Sequence, residues 1–239
     1  MDVRILPDAQ AIANEAADIF CALLRQKPNA VLGLATGSSP IPTYEELARR
    51  SAAGVVDFGE ASSFNLDEYC GLAPDNDQSY RYFMRTQLFD RVGLSRVHFL
   101  NGLATDTEKE CERYEEELKA AGGVDLQLLG IGRNGHIGFN EPAGKMRESC
   151  FCVELTEDTI KANRRFFARE EDVPRRALTM GIGTILSAKK ILLIATGADK
   201  ADAVEGMLRG EIGGQCPASF LRTHPDVTIL LDPAAAGRR

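Results

Sequence analysis

Asp67, Asn134, His136, Asn140 and Glu141 are the side chains of this 239-residue chain best suited to a small-molecule site, the two amides as polar contacts and the three titratable groups as proton carriers. The last four lie in LLGIGRNGHIGFNEP, residues 128 to 142, where an apolar run ends in a loop holding four glycines. Glycine lets a backbone turn sharply and approach a ligand closely. Polar groups and a titratable base on such a loop suit a small-molecule site. His136 is one of three histidines, with His98 and His224. Its imidazole can pass a proton to and from an oxygen near neutral pH. Glu141, five residues on, is within reach of one ring nitrogen and would fix its tautomer. The stretch also fits an ordinary glycine-rich turn after a buried strand, with a surface histidine.

Asp67 sits in FNLDEY, residues 64 to 69. If one strand runs through it, Asn65 and Asp67 share a face, and Leu66 and Glu68 share the other. A half-buried carboxylate beside a like charge has its pKa raised toward use as a proton acceptor. A solvated acidic turn is the alternative. In LATGSSP, residues 34 to 40, a strand gives way to Ala35, Thr36, Gly37, Ser38 and Ser39 ahead of a helix. Hydroxyls and free backbone N–H groups before a helix make an anion site. The run lacks the GxxxxGK[ST] and GxGxxG patterns of nucleotide and dinucleotide loops, so it suits a sugar phosphate better than ATP or NAD. It equally fits a plain N-cap and turn. KANRRFF, residues 161 to 167, puts Lys161, Arg164 and Arg165 on one predicted helix, and Lys200 follows TGAD after a buried strand. Either group can grip a phosphate, and either can be a solvated helix charge.

The elements that must position these residues alternate. Helical stripes are predicted over 9–25, from about 43, over 80–89 and 108–120, near 184–188 and near 200–208. Apolar strands are predicted at 30–34, 62–65, 97–100, 124–129, 150–155, 177–180, 191–195 and 227–231. This alternation is the signature of an α/β fold: one domain with an open, mainly parallel sheet flanked by helices on both faces. In such sheets ligands bind beyond the carboxyl ends of the strands. Each polar cluster above follows a strand, so all can share one edge.

Composition narrows the functional classes. Hydrophobic residues make up 44%, enough for a sizeable core, and the formal net charge of -7 argues against nucleic-acid or anionic-membrane partners. No apolar run approaches the ~20 residues of a membrane span, and the N-terminal stretch lacks a signal-peptide core. Cysteines 21, 70, 111, 150, 152 and 216 have no metal-ligand spacing. They read as buried thiols of a reduced, cytoplasmic protein. Metal binding at His136 is poorly supported, because no second histidine or cysteine stands at ligand spacing.

Four segments together resemble the glucosamine-6-phosphate deaminase family: LATGSSP; FNLDEY with SYRYFM; GIGRNGHIGFNEP; and ALTMGIGTIL with IATGADKADAV. They run from about residue 30 to residue 205, and the PAS run leading to His224 also fits. The resemblance implies a Rossmann-like fold, shared with phosphosugar isomerases and 6-phosphogluconolactonase. It implies conversion of glucosamine 6-phosphate and water to fructose 6-phosphate and ammonium, without metal or organic cofactor. It casts Asp67 as the base carrying a proton from carbon 2 to carbon 1, and His136 as the acid/base of ring opening, supported by Glu141 and Asn134. Ala35 to Ser39, Gly135, Arg165 and Lys200 become the substrate and phosphate contacts, and a stretch near 155–175 becomes an active-site lid.

Two departures modify this expectation. The long, hexameric, allosteric members carry Asp where this chain has Asn134, so support for His136 shifts to Glu141. Their N-acetylglucosamine 6-phosphate site uses an Arg and a Lys, and here those positions fall among Phe151, Cys152, Val153 and Glu154. A monomer without that activation is expected, with a dimer as the alternative. The rival readings are a galactosamine-6-phosphate deaminase, a 6-phosphogluconolactonase and a non-catalytic sugar-phosphate sensor. IGFNEP and the DEY carboxylate argue against the lactonase, and Asp67, His136 and Glu141 together argue against the sensor.

Overall fold

A computed structural model describes residues 1–157, 160, 167, 169 and 172–237. Seven strands form one wholly parallel sheet: β1 (Asp2–Ile5), β2 (Val31–Leu34), β3 (Ser62–Asn65), β5 (Arg96–His98), β6 (Leu126–Leu129), β9 (Ile191–Ala195) and β10 (Val227–Leu231). Their order is β1-β10-β9-β6-β2-β3-β5. Parallel strands need covered faces, which is why β2, β6 and β9 are apolar almost throughout and buried at every position.

The period of two sends alternate residues to two cores. Leu32, Leu34, Leu126, Leu128, Leu192, Ile194 and Leu230 meet α1 (Ala9–Gln26), α2 (Ile41–Ala52), and α3 (Tyr80–Met84) with its π-turn continuation (Arg85–Phe89) and α4 (Asp90–Val92). Val31, Phe64, Leu129, Leu193, Ile229 and Leu231 meet α5 (Thr107–Ala120), α6 (Ile182–Leu186) and α7 (Ala201–Arg209). In α1, Ile12, Ala16, Phe20 and Leu24 recur every fourth residue and are buried. Asp8 caps that helix by accepting the Ala11 N–H at 2.8 Å.

Three strands depart from the expected sheet. β4 (Asp67–Tyr69), β8 (Arg176–Thr179) and β7 (Phe151–Glu154) form a separate antiparallel sheet in the order β4-β8-β7. The chain leaves the large sheet at Leu66, whose N–H still donates to Leu34 O at 3.2 Å while its carbonyl accepts from Met180 N at 2.8 Å. The strand expected at 62–65 is β3, and FNLDEY is two strands in two sheets, so the condition that one strand runs through Asn65 and Asp67 is not met. Apolar composition cannot tell a third antiparallel strand from one more parallel strand. β1 was also not foreseen, because its residues are mostly exposed on an edge strand. All six cysteines are free thiols.

Candidate active site

Four loops meet at the carboxyl ends of the four neighbouring strands β9, β6, β2 and β3. They hold Lys200, the His136 glycine run, Thr36 to Ser39, and the turn at Leu66 that leads into Asp67 at the start of β4, respectively. The shared edge expected from the sequence is present.

Asp67 is 7% exposed and pairs with Thr179 across β4 and β8. Burial, and then the charge of Glu68, push its carboxyl up to about 8. The glycine loop lies directly over it. Gly138 has φ +58°, and a methyl group there would stand 3.7 Å from Asp67 Oδ2 and 3.0 Å from Thr179 Oγ1. The Thr179 hydroxyl accepts the Phe139 N–H at 3.1 Å, and Asn140 Nδ2 donates to Ile137 O and Met180 O at 3.0 and 2.8 Å. The loop is thus pinned to β8, opposite Asp67.

His136 packs its ring on the backbone of Gly132, where a methyl group would collide with three ring atoms at 2.3–2.4 Å. Only glycine leaves room for the imidazole. His136 Nδ1 stands 3.4 Å from Glu141 Oε2, an ion-pair distance, but the two are not aligned as a hydrogen bond. Glu141 is held instead by Asn134, whose Nδ2 donates to Oε2 at 2.7 Å while its Oδ1 accepts the His136 N–H at 3.2 Å. Asn134 therefore sets the loop and the carboxylate through these two hydrogen bonds. Gly135 is committed to structure, its N–H donating to Gly132 O at 3.0 Å and its carbonyl accepting from Ala218 N at 2.9 Å. The other two histidines are occupied elsewhere. His98 stacks on Phe64 with ring centres 4.3 Å apart, and buried His224 bonds Ala188 O at 2.7 Å.

Thr36, Gly37, Ser38 and Ser39 lead into α2, which begins without a side-chain cap. Ala35 is buried and its carbonyl accepts from Tyr44 OH at 2.6 Å. In the first turn of α2, the Ile41 N–H goes to Ser38 O and Pro42 has no N–H, so the hydroxyls of Thr36, Ser38 and Ser39 are the groups here that suit an anion. Lys200 is half-buried, and burial lowers its pKa against the opposing pull of Asp199. Arg133 of the glycine loop pairs with Asp199 at 2.9 Å, tying that loop to the Lys200 turn. β2 and β9 are separated by β6, so Lys200 approaches from about 10 Å, two strand spacings, to one side. Arg165, with Lys161 and Arg164, lies outside the described residues, as does much of the expected lid near 155–175.

A profile of the family described as glucosamine-6-phosphate isomerases/6-phosphogluconolactonase matches residues 7–230. The chain belongs to this family. Within the isomerase/lactonase family, it is 49% identical to a glucosamine-6-phosphate deaminase of Thermoanaerobacter pseudethanolicus, over 99% of this chain and 94% of that one. It is 51% identical to one of Arthrobacter sp. FB24, over 99% and 92%. Among solved structures, a monomeric glucosamine-6-phosphate deaminase superposes with a TM-score of 0.96 at 45% identity, covering 100% of both chains. The 6-phosphogluconolactonase of Thermotoga maritima shares the family fold, with a TM-score of 0.77 at 22% identity, covering 97% and 98%.

Two positions of this family member were not singled out for a role from sequence. Thr179 belongs to ALTMG, but its partners lie across an antiparallel pair and in a distant loop. Glu68 was read only as a like-charged neighbour, whereas its carboxylate holds the start of α3. Neither contact leaves a local pattern in the chain. No group of three or more His, Cys, Asp or Glu able to hold a metal occurs among the described residues. No described helix is long and apolar enough to cross a membrane.

Proposed function

We propose that this chain is a glucosamine-6-phosphate deaminase, releasing ammonium and forming fructose 6-phosphate. The observation that carries the reading is the packing of the His136 loop onto Asp67 through Gly138. It unites an acceptor of raised proton affinity with the one histidine not absorbed by structure. Near-50% identity to deaminases over almost the whole chain supports the substrate.

The chemistry needs three parts. His136, kept in place by Gly132 and backed by Glu141 and Asn134, opens the pyranose by moving a proton to the ring oxygen. The aldehyde released at carbon 1 acidifies the proton at carbon 2. Asp67 as carboxylate removes it, giving an enolamine, and returns it at carbon 1. The resulting ketimine at carbon 2 is hydrolysed by water to ketone and ammonia. The hydroxyls of Thr36, Ser38 and Ser39, with Lys200 and Arg165, anchor the phosphate. Anchoring fixes carbon 2 over Asp67, converting binding energy into orientation. The protein acts as a monomer in the cytoplasm, without activation by N-acetylglucosamine 6-phosphate.

The deciding experiment measures ammonia release from glucosamine 6-phosphate beside galactosamine 6-phosphate, with 6-phosphogluconolactone hydrolysis run in parallel. Ammonia from the gluco substrate with hyperbolic kinetics is expected. Preference for the galacto substrate, or lactone hydrolysis alone, would overturn the assignment.

A further inference from the structure

Glu68 is 3% exposed, and every hydrogen-bond partner recorded for its carboxylate is a donor. Oε1 accepts the N–H groups of Tyr69 and Tyr80, both at 2.9 Å, and Oε2 accepts that of Arg81 at 3.0 Å. Among the described residues it meets three donors and no acceptor, the environment of an ionised carboxylate. Tyr80 and Arg81 open α3, whose first N–H groups have no partners within the helix. The Tyr80 ring then stacks on Phe139 of the glycine loop, with planes 2° apart and centres 6.0 Å apart, and tilts against Tyr69 at 4.7 Å. One buried carboxylate therefore ties the Asp67 strand to α3, and through α3 to the loop that carries His136.

We propose that Glu68 is a positioning residue of the reaction: a buried anion that locks Asp67 against the glycine loop and supplies the fixed charge beside which Asp67 exchanges its proton. This rests on the reading of Asp67 as the proton carrier. Adjacent carboxylates in unlike surroundings divide their tasks, one staying charged and the other cycling. Glu68 has the donors, and Asp67 has burial and the neighbouring charge. Burial raises the Glu68 carboxyl as well, opposed by its three N–H donors and by Arg81. The other titratable groups coupled to Asp67 are the hydroxyls of Tyr69 on its own strand, Tyr80 on α3 and Tyr114 on α5. His136 and Glu141 ride on the loop packed above it.

The test compares Glu68→Gln and Glu68→Asp with the unaltered enzyme in kcat and kcat/KM across pH. Glu68→Gln removes the charge, so the acidic limb of kcat/KM should move down by about one pH unit or more, with KM for the phosphosugar changed less than twofold. Glu68→Asp keeps the charge, so its acidic limb should stay in place while kcat falls. An unmoved limb in Glu68→Gln, in an enzyme that does deaminate, overturns the proposal. Absence of deamination in the unaltered enzyme strikes the functional reading instead. Carboxyl carbon NMR of the unaltered protein covers the case in which the variants fail to fold. Glu68 should lose its proton at lower pH than Asp67, and the reverse order overturns the proposal.

Discussion

Asp67 and Thr179 face one another across β4 and β8, and the Thr179 hydroxyl accepts the N–H of Phe139 from the loop above. A side-chain-to-backbone hydrogen bond between the small sheet and the glycine loop thereby sets the distance between Asp67 and the loop that carries His136. Removing the acceptor while keeping the shape should separate fold from function. Thr179→Val leaves a buried N–H unpaired, at a cost of about 1–3 kcal/mol. A lower kcat with KM little changed is expected, and Thr179→Ser should restore it. Equal activity of the Val and Ser variants would remove the hydroxyl from the account.

The protonation of Asp67 fixes a pH dependence. Its carboxyl is pushed up to about 8 in the folded chain, against about 3.9 when unfolded. In the proposed reaction the proton acceptor is the carboxylate, so kcat/KM should rise with pH and level off above pH 8. A profile flat between pH 6 and 9 would contradict this.

The same shift makes Asp67 a cost to stability. Between about pH 4 and 8 the folded chain binds a proton that the unfolded chain has released. The contribution of Asp67 is therefore fullest below pH 4 and is lost as pH rises through 8. Asp67→Asn should melt higher than the unaltered protein by a margin that grows across that window, on the order of 1–5 kcal/mol at its end. It should also abolish proton exchange at carbon 2, with a rate loss of about 100- to 10,000-fold. Melting curves that stay parallel from pH 4 to 8 would show that the side chain titrates normally.

Gly132 makes room for an imidazole. A methyl group there meets the His136 ring at 2.3–2.4 Å, so Gly132→Ala must displace the ring. Loss of kcat by about 100-fold or more is expected, with far-ultraviolet circular dichroism unchanged. Full activity in a folded Ala variant would mean that the ring position is unimportant.

Lys200 bears on affinity. A hydrogen bond to a charged group contributes about 1.5–3 kcal/mol, so Lys200→Ala should raise KM on the order of 10- to 100-fold and change kcat less. An unaltered KM would exclude the lysine from the phosphate grip.

The parallel sheet and its loaded edge were legible because both are written locally. Val31–Leu34, Leu126–Leu129 and Ile191–Ala195 are apolar runs that end in polar, glycine-bearing loops. The turn of the chain at Leu66 was not legible. It depends on Leu34 taking the N–H and Met180 the carbonyl of one residue, Leu66, and neither is near it in sequence. For the same reason Thr179 and Glu68 escaped notice, since they act through backbone N–H groups that carry no residue identity. The support of His136 was half legible. Glu141 is within reach of the ring, yet its firm partner is Asn134.

The edge that gathers Thr36, Asp67, His136 and Lys200 has a consequence for biosynthesis. Its loops come from stretches beginning near residues 35, 66, 130 and 196, and β9 takes its place between β6 and β10. A growing chain stalled before β9 leaves one flank of β6 bare and lacks the lysine altogether. Truncated products that stop short of β9 therefore present an unpaired strand edge of the kind that chaperones shield.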